Sequence, residues 1–148
     1  MDETNMKNAV VSAQETFEQI NQSENTTYID VRTVAEFVEG HPKGRVINIP
    51  IVFFHPKTGN THPNDAFTLV ANHGLSHEDA IIVGADDSDR ATVAAESLNE
   101  AGFSNISVMK EGLSGWRKEE LPVTADNRPG VSYVSLLTPA RRAKPGKS

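Results

Sequence analysis

The chain has 148 residues, of which 37% are hydrophobic, so it is long enough to bury one sizeable core and short for two. Its formal net charge of −6 disfavours general binding to nucleic acid, because proteins meet phosphates with clustered lysine and arginine side chains. There is no cysteine, which excludes disulfides, thiolate metal sites and thiol catalysis by this chain.

The sequence has no apolar run of about 18 residues, the length that a membrane-spanning helix needs. It begins MDETNMKNAV, which is acidic and polar, whereas a secretory signal starts with basic residues and has an apolar centre. We therefore expect a cytoplasmic protein that is not bound to a membrane. Basic residues cluster only near the C-terminus, at Arg141, Arg142, Lys144 and Lys147.

Predicted strands and helices alternate along the chain. Val10 and Val11 start a short strand, and Ser12 and Glu15 have the spacing of a capping box before a helix over 13–22. A strand over 27–31 carries Asp30 near its end, and a short helix then runs from Thr33 to Gly40. Further strands are predicted at 46–49, 81–83 and 106–109. Further helices are predicted at 64–73, 91–101 and 112–118, and Trp116 is expected in the core.

Two segments are predicted to lack regular structure. Residues 53–65, FFHPKTGNTHPND, contain two prolines and a glycine and are interpreted as a loop. Residues 127–148 are interpreted as an extension of a single domain over 1–126. This extension is expected to be partly ordered at 131–137 and loose beyond Pro139.

The alternation of strands and helices predicts an α/β fold with a parallel sheet. Ile81, Ile82 and Val83 are continuously apolar, as in a strand buried on both faces. Because ligands of open parallel sheets bind beyond the carboxyl ends of strands, there are two candidate places for a site. One follows Asp30, and the other is the loop after Val83.

Two stretches carry a resemblance to a known family. They are YIDVRTVAEFVEGHPKGRVINIP, at 28–50, and IIVGADDSDRATVAAESLNEAGFSNISVMKEGLSGW, at 81–116. Together with their flanks they resemble the rhodanese-like (sulfurtransferase) domain family over residues 8–124. The resemblance implies a central parallel sheet with helices on both faces. It also implies sulfur transfer from thiosulfate or 3-mercaptopyruvate as the family activity.

The chain departs from this family at the loop that carries the chemistry. Active members open a six-residue loop with a cysteine, and many that use thiosulfate close it with an arginine. With Arg90 as the closing residue, Ala85 falls at the cysteine position. A methyl group has no lone pair with which to take up sulfur, so the chain as written cannot form a persulfide. Ser88 is a far weaker nucleophile without an adjacent base.

The predicted pocket loop is acidic, and its full set of residues is Ala85, Asp86, Asp87, Ser88, Asp89 and Arg90. Each carboxylate a few ångströms from a bound anion costs on the order of 1 kcal/mol even in water, so binding of a dianion should suffer. Two interpretations of the acids stay open. Asp89 or Ser88 caps the following helix, or the acids form a surface for a cation or a basic partner.

Other candidate residues lie outside the loop. Asp30 is expected to be a buried structural carboxylate, with Arg32 nearer the pocket. Phe53 and Phe54 either line the mouth of the pocket or pack on the body of the domain. His41 is interpreted as part of a turn, and the remaining histidines as surface residues, at His55, His62, His73 and His77. We predict neither a cofactor nor a metal site.

Three functions remain open on the sequence. The first is a non-catalytic binding or regulatory module whose ligand is a small anion, a sulfur compound or a protein. The second is a sulfurtransferase whose cysteine has been substituted at Ala85. The third and weakest is an acid- or metal-assisted hydrolase that uses the loop aspartates, with Asp30 as the one obvious further carboxylate. The basic tail either contacts an acidic partner or is solvated, and a monomer or weak homodimer is expected.

Overall fold

The computed structural model describes residues 8–55, 57–86 and 88–143, with the side chain of Ser88 left undescribed. The strands are β1 Ala9–Val11, β2 Thr26–Asp30, β3 His41–Pro42, β4 Val46–Asn48, β5 Val52–Phe54, β6 Thr61–Pro63, β7 Ala80–Gly84, β8 Ile106–Met109 and β9 Val123–Thr124. The helices are α1 Ala13–Gln22, α2 Val34–Glu39, α3 Phe67–Gly74, α4 Ser88–Glu100, α5 Gly112–Lys118 and α6 Tyr133–Arg142.

Five strands form the central sheet in the order β1-β8-β7-β2-β4, and every neighbouring pair is parallel. The two central strands, β7 and β2, pair so that Asp30 lies opposite Gly84 at their carboxyl ends. The continuous apolar run that predicted a doubly buried strand is buried as expected, from Ile81 to Val83. The prediction of a parallel α/β sheet is confirmed.

Helices cover both faces of this sheet and enclose two hydrophobic cores. The larger core joins the sheet to α3, α4 and α6, with Ala94 and Leu98 among its fully buried side chains. The smaller core joins the opposite face to α1, α2 and α5. Trp116 lies at its centre, fully buried as predicted, and its indole nitrogen donates to the Pro122 carbonyl oxygen at 2.7 Å.

The capping box predicted at the start of α1 is present. Glu15 N donates to the Ser12 hydroxyl oxygen, and Ser12 N donates to the Glu15 carboxylate. Helix α2 begins with a second box of the same kind, in which Thr33 and Glu36 exchange the same two bonds. Within the described residues, no helix is long and apolar enough to cross a membrane.

The prediction of an irregular loop over 53–65 is wrong in part. Val52–Phe54 pairs antiparallel with Thr61–Pro63, so the segment folds back as a hairpin around a turn at Gly59, whose φ is +76°. Pro63 is compatible with a short hairpin because it stands at the end of its strand, and Pro56 lies outside the described residues. The hairpin forms a separate two-stranded sheet and borders helix α4.

Three helix boundaries also differ from the predictions. Helix α3 begins at Phe67 rather than at residue 64. Helix α4 begins at Ser88 rather than at residue 91, so the acidic loop is shorter than expected. Helix α6 continues through Pro139 to Arg142, where a loose tail was expected. Ala140 is buried against the larger core, and this packing overrides the local preference of proline. The domain boundary at residue 126 stays a prediction, and residues 144–148 lie outside the described part.

Candidate functional site

The candidate site lies at the carboxyl ends of β7 and β2, where the chain leaves the sheet for helix α4. Ala85 follows β7 directly and is 1% exposed, with its side chain in the larger core. Asp86 comes next and is exposed. Asp87 lies outside the described residues. Ser88 and Asp89 form the first turn of α4, so the helix amide groups face the loop.

The backbone of the loop contacts the start of α5 and is hydrogen-bonded to it. Leu113 N donates to the Ala85 carbonyl oxygen at 2.8 Å. Gly112 has a φ of +55°, and a Cβ there would collide with the Ala85 carbonyl oxygen and lie 2.6 Å from the Asp86 carbonyl oxygen. Glu111 precedes it in the left-handed region, with a φ of 66°. This close approach of two backbones fixes where Ala85 sits.

Asp30 and Arg32 form a buried ion pair beneath the loop. Arg32 Nε donates to Asp30 Oδ1 at 2.9 Å and Arg32 Nη2 donates to Oδ2 at 2.7 Å. Arg32 Nη2 also donates to the Gly40 carbonyl oxygen at 2.7 Å. Burial lowers the pKa of Arg32, but the hydrogen bond and charge of Asp30 outweigh it, so this pKa is raised overall. The buried structural carboxylate expected at Asp30 is where the sequence located it.

Arg90 is bound by a carboxylate that the sequence did not assign to the site. Its Nη1 lies 2.8 Å from Glu36 Oε1 and its Nη2 lies 3.1 Å from Oε2, which is a bidentate pair. Asp86 Oδ2 is 3.7 Å from Arg90 Nη2, and Asp86 Oδ1 is 3.8 Å from Arg32 Nη1. The charge of Arg90 is therefore balanced within the domain.

Glu36 joins this pair to the cap of helix α2. Its carboxylate accepts from Thr33 N at 2.9 Å as well as from Arg90. Burial by itself raises the pKa of Glu36 from its ordinary value of 4.5, but hydrogen bonds from Arg90 and Thr33, with the charge of Arg90, outweigh burial and lower this pKa to about 2. One ionised carboxylate thus ties the start of α2 to the first turn of α4.

We expect Glu36→Gln to make the free energy of unfolding depend less on pH in the acidic range. Because the pKa of Glu36 is lower in the folded state, its contribution is complete above its ordinary pKa of 4.5 and is lost as the pH falls toward about 2. The variant should lose about 1–2 kcal/mol near neutral pH and show a shallower fall between about pH 5 and pH 3. Urea unfolding near neutral pH measures the loss, and urea unfolding between about pH 5 and pH 3 measures the fall. Glu39→Gln, at an exposed position of the same helix, is the matched control. Parallel acid profiles for Glu36→Gln and Glu39→Gln would contradict the assignment.

Phe53 and Phe54 point to different surroundings. The guanidinium of Arg90 lies over the ring of Phe54, with Arg90 Cζ 5.6 Å from the ring centroid. Phe54 therefore lies beside the loop. The Phe53 ring instead faces Tyr133 of α6, with centroids 6.3 Å apart, and contacts His62. The structure therefore brings Phe54 to the site and leaves Phe53 on the body of the domain.

The five histidines are spread over several elements of the domain. His41 is buried in β3 and stacks on Phe37, with ring centroids 3.7 Å apart. The other histidines are exposed, as predicted, at His55, His62, His73 and His77. Within the ranges that the structure describes, no three histidine or acidic side chains are placed to hold one metal ion together.

Sequence reasoning missed three residues that shape the site: Tyr28, Glu36 and Gly112. Tyr28 is buried, and its hydroxyl occupies the space that a Cβ at Gly84 would need, just before Ala85. Burial, and then the charge of Asp30, raise the pKa of the Tyr28 hydroxyl well above its usual value. For Glu36, the sequence offers the Thr33–Glu36 spacing of a capping box. This spacing indicates the start of a helix and does not indicate a partner for Arg90.

Comparison with protein families identifies the fold family. The family described as "Rhodanese-like domain" matches residues 12–119. The chain belongs to the rhodanese-like domain family. This match includes β2, the loop at Ala85 and the turn at Gly112, so it spans every part of the candidate site described above.

Plant proteins are among the relatives of this rhodanese-like chain. "Thiosulfate sulfurtransferase 16, chloroplastic" of Arabidopsis thaliana is 36% identical over 98 residues, which are 66% of this chain and 79% of that protein. "Senescence-associated protein DIN1" of Raphanus sativus is 34% identical over 96 residues, 65% of this chain and 51% of that protein. The chain therefore spans about half the length of the radish relative.

Solved structures share the fold at lower identity. A thiosulfate sulfurtransferase from Pseudomonas aeruginosa superposes with a TM-score of 0.65 at 24% identity, over 80% of this chain and 20% of that chain. The rhodanese-like domain of the Alr3790 protein from Anabaena sp. gives a TM-score of 0.63 at 23% identity, over 77% of this chain and 76% of that chain. These likenesses confirm the predicted fold class.

Proposed function

We propose that this rhodanese-like domain is a non-catalytic binding module, with Ala85 at the position of the nucleophilic cysteine of active relatives. The observation that carries the proposal is the buried methyl group of Ala85 at the end of β7, in a chain without cysteine. Sulfur transfer by a thiol needs a thiolate that attacks the outer sulfur of thiosulfate, breaks its S–S bond and releases sulfite. Ala85 supplies no such group.

The charges around the loop support the same proposal. Arg90 is the cation that would receive an anionic donor, and it is already bound bidentately by Glu36. Asp86 is exposed beside it, and Asp89, the residue before Arg90 on α4, is exposed as well. A dianion such as thiosulfate would meet carboxylates at a few ångströms, each costing about 1 kcal/mol or more. The ligand of this module is therefore unlike thiosulfate.

A steady-state sulfur-transfer assay tests the proposal on three proteins: the chain itself, Ala85→Cys and Ala85→Cys/Glu36→Gln. Thiosulfate and 3-mercaptopyruvate are the donors and cyanide is the acceptor. We expect background rates for the first two proteins. The double variant should react faster than Ala85→Cys by roughly fivefold to tenfold, because Arg90 loses its strongest partner. A folded Ala85→Cys variant that turns over many times per minute would overturn the proposal.

The second candidate is a sulfurtransferase in which the cysteine has been substituted. The printed name of the 36% identical Arabidopsis relative favours it, since that protein is called a thiosulfate sulfurtransferase. Strong activity in Ala85→Cys alone would support this candidate. The acidic neighbours argue for the binding module, because a single substitution at Ala85 does not account for Asp86, Asp87 and Asp89.

The hydrolase alternative has less support. It needs a second carboxylate near the loop, and both Asp30 oxygens already accept hydrogen bonds from Arg32. A role in the cytoplasm, a monomeric or weakly dimeric state and a contact between the basic tail and an acidic partner stay predictions.

A further inference from the structure

A groove on the face of the domain between a hairpin and helix α4 includes none of Ala85, Asp86 and Arg90 in its lining. It lies between the β5–β6 hairpin and helix α4, and we call it the hairpin groove. Its lining includes Val52 and Pro63 from the hairpin, Phe67 from α3 and Val93 from α4. The cavity has a volume of about 270 Å³. Phe54 extends the same face of β5 to Arg90 at the edge of the loop.

The hairpin groove exposes apolar side chains that the core does not need. Phe54 is 45% exposed and Val93 is 53% exposed, and both are among the few large hydrophobic residues at the surface of the described chain. Phe53, on the other face of β5, packs against Tyr133 and anchors the hairpin to the body. The hairpin thus presents one face to the domain and one to the groove. Exposed apolar side chains at the wall and edge of a groove are typical of an interaction site.

The charged residue that lines the hairpin groove, and the charged residues beside it on α4, are mainly acidic. Asp65 lines it. On α4, Asp89 and Glu96 stand four residues before and three residues after Val93, which places them on its side of the helix. The single basic residue of α4 is Arg90, whose charge Glu36 balances. Lys57 belongs to the hairpin turn and does not line the groove.

We propose that the hairpin groove binds a partner protein through a segment in which an apolar side chain is flanked by lysine or arginine. The apolar side chain would contact Val52 and Val93, and the cations would face Asp65 and the acids of α4. This inference rests on the proposed function, since it names the partner class of the binding module. A second copy of the chain fits less well, because each copy carries a net charge of −6.

Titration of the 15N-labelled chain of 148 residues with two synthetic peptides tests the proposal. One peptide carries a Leu-Phe pair between lysines in a glycine and serine background, and the other has glutamate in place of each lysine. The lysine peptide should shift the amide signals of Val52, Phe54, Thr68 and Val93, and its affinity should fall as salt is raised. The glutamate peptide should cause no such shifts. Equal binding of both peptides, or shifts confined to other surfaces, would overturn the proposal.

Matched valine substitutions locate the binding surface. Val93→Ser should weaken the lysine peptide by about fivefold or more, because truncating a central apolar contact typically costs over 1 kcal/mol. Val134→Ser is the control, at a 67% exposed valine of α6 that does not line the groove. Both valines are exposed, so both variants should fold. Equal effects of the two substitutions would contradict the assignment to the groove.

The charge and the tail give two further tests. Asp65→Lys should weaken binding of the lysine peptide by at least about threefold and strengthen binding of the glutamate peptide.

Deleting residues 144–148, which contain Lys144 and Lys147, should leave peptide binding unchanged. Binding that appears only after this deletion would overturn the proposal, because the chain's own tail would then be the occupant.

Repeating the titration on Ala85→Cys separates this inference from the proposed function. If Ala85→Cys transfers sulfur and the lysine peptide still binds, the non-catalytic assignment fails and the groove assignment stands. If Ala85→Cys is silent and the peptide does not bind, the groove assignment fails alone.

Discussion

Asp30→Asn is expected to destabilise the domain by about 3–5 kcal/mol, the largest effect of any single charge change at the site. Arg32 is 4% exposed, and Asp30 provides its two shortest side-chain contacts to a carboxylate, at 2.9 and 2.7 Å. Asparagine keeps the size and one oxygen but removes the charge. The buried guanidinium would then have no full counter-charge within hydrogen-bond distance. Urea unfolding at neutral pH measures the loss.

A double-mutant cycle isolates the pair from its surroundings. Arg32→Met removes the cation and keeps much of the volume, and Asp30→Asn/Arg32→Met removes both charges. Since replacing a whole buried ion pair costs less than breaking it, the double variant should be more stable than the sum of the single losses predicts, by about 1–3 kcal/mol. Additive losses would show that Asp30 stabilises the domain through other contacts.

Gly112→Ala is expected to destabilise the domain by about 2–4 kcal/mol. Two causes add: alanine is strained at a φ of +55°, and its Cβ would collide with the Ala85 carbonyl oxygen. Relief requires the loop and the start of α5 to separate, which would stretch the 2.8 Å bond from Leu113 N to Ala85 O. Thermal or urea unfolding measures the loss, and amide shifts of Ala85 and Asp86 report the displacement.

Gly74→Ala is the matched control for this substitution. Gly74 ends helix α3, has no positive φ, and a Cβ there would meet nothing within 4 Å. Alanine should therefore be neutral or stabilise by up to about 1 kcal/mol, since it restricts the unfolded chain. If both alanines cost the same, the loss at Gly112 would not come from its contact with the loop.

The sheet and its family were predictable because their signals are local. The apolar run from Ile81 to Val83 marks a strand buried on both faces, and Asp30 with Arg32 stands at a strand end within a recognisable motif. Parallel pairing then brings the carboxyl ends of β2 and β7 to the same edge. The position of the loop at Ala85 follows from these elements alone.

The partner of Arg90 could not be predicted in the same way. Glu36 is 54 residues away along the chain, and its local pattern with Thr33 already has a sufficient explanation as a capping box. Only the folded arrangement of α2 and α4 lets one carboxylate serve both the cap and the arginine. The same holds for Gly112, which must be glycine because of the nearby backbone of Ala85 as well as its own positive φ.

The hairpin and the last helix were misjudged for a related reason. Proline and glycine in 53–65 and Pro139 in the tail weaken regular structure locally, and the sequence alone gives no measure of the tertiary contacts that compensate. Tyr133 supplies such contacts in both places. Its ring packs near Phe53, and its hydroxyl accepts from Asn64 Nδ2 at 2.9 Å.

We propose that the loop does not support sulfur transfer, because it lacks the thiol and because its charges oppose an anionic donor. The most direct test is persulfide formation on Ala85→Cys in a single turnover. The variant is incubated with excess thiosulfate, and intact-protein mass spectrometry then measures the added sulfur. A small neutral alkylating reagent first establishes that the new thiol is accessible. We predict that the thiol, once this reagent has shown it to be accessible, gains no sulfur from thiosulfate. Rapid, stoichiometric persulfide formation would contradict the account and identify the chain as a sulfurtransferase lacking only its cysteine.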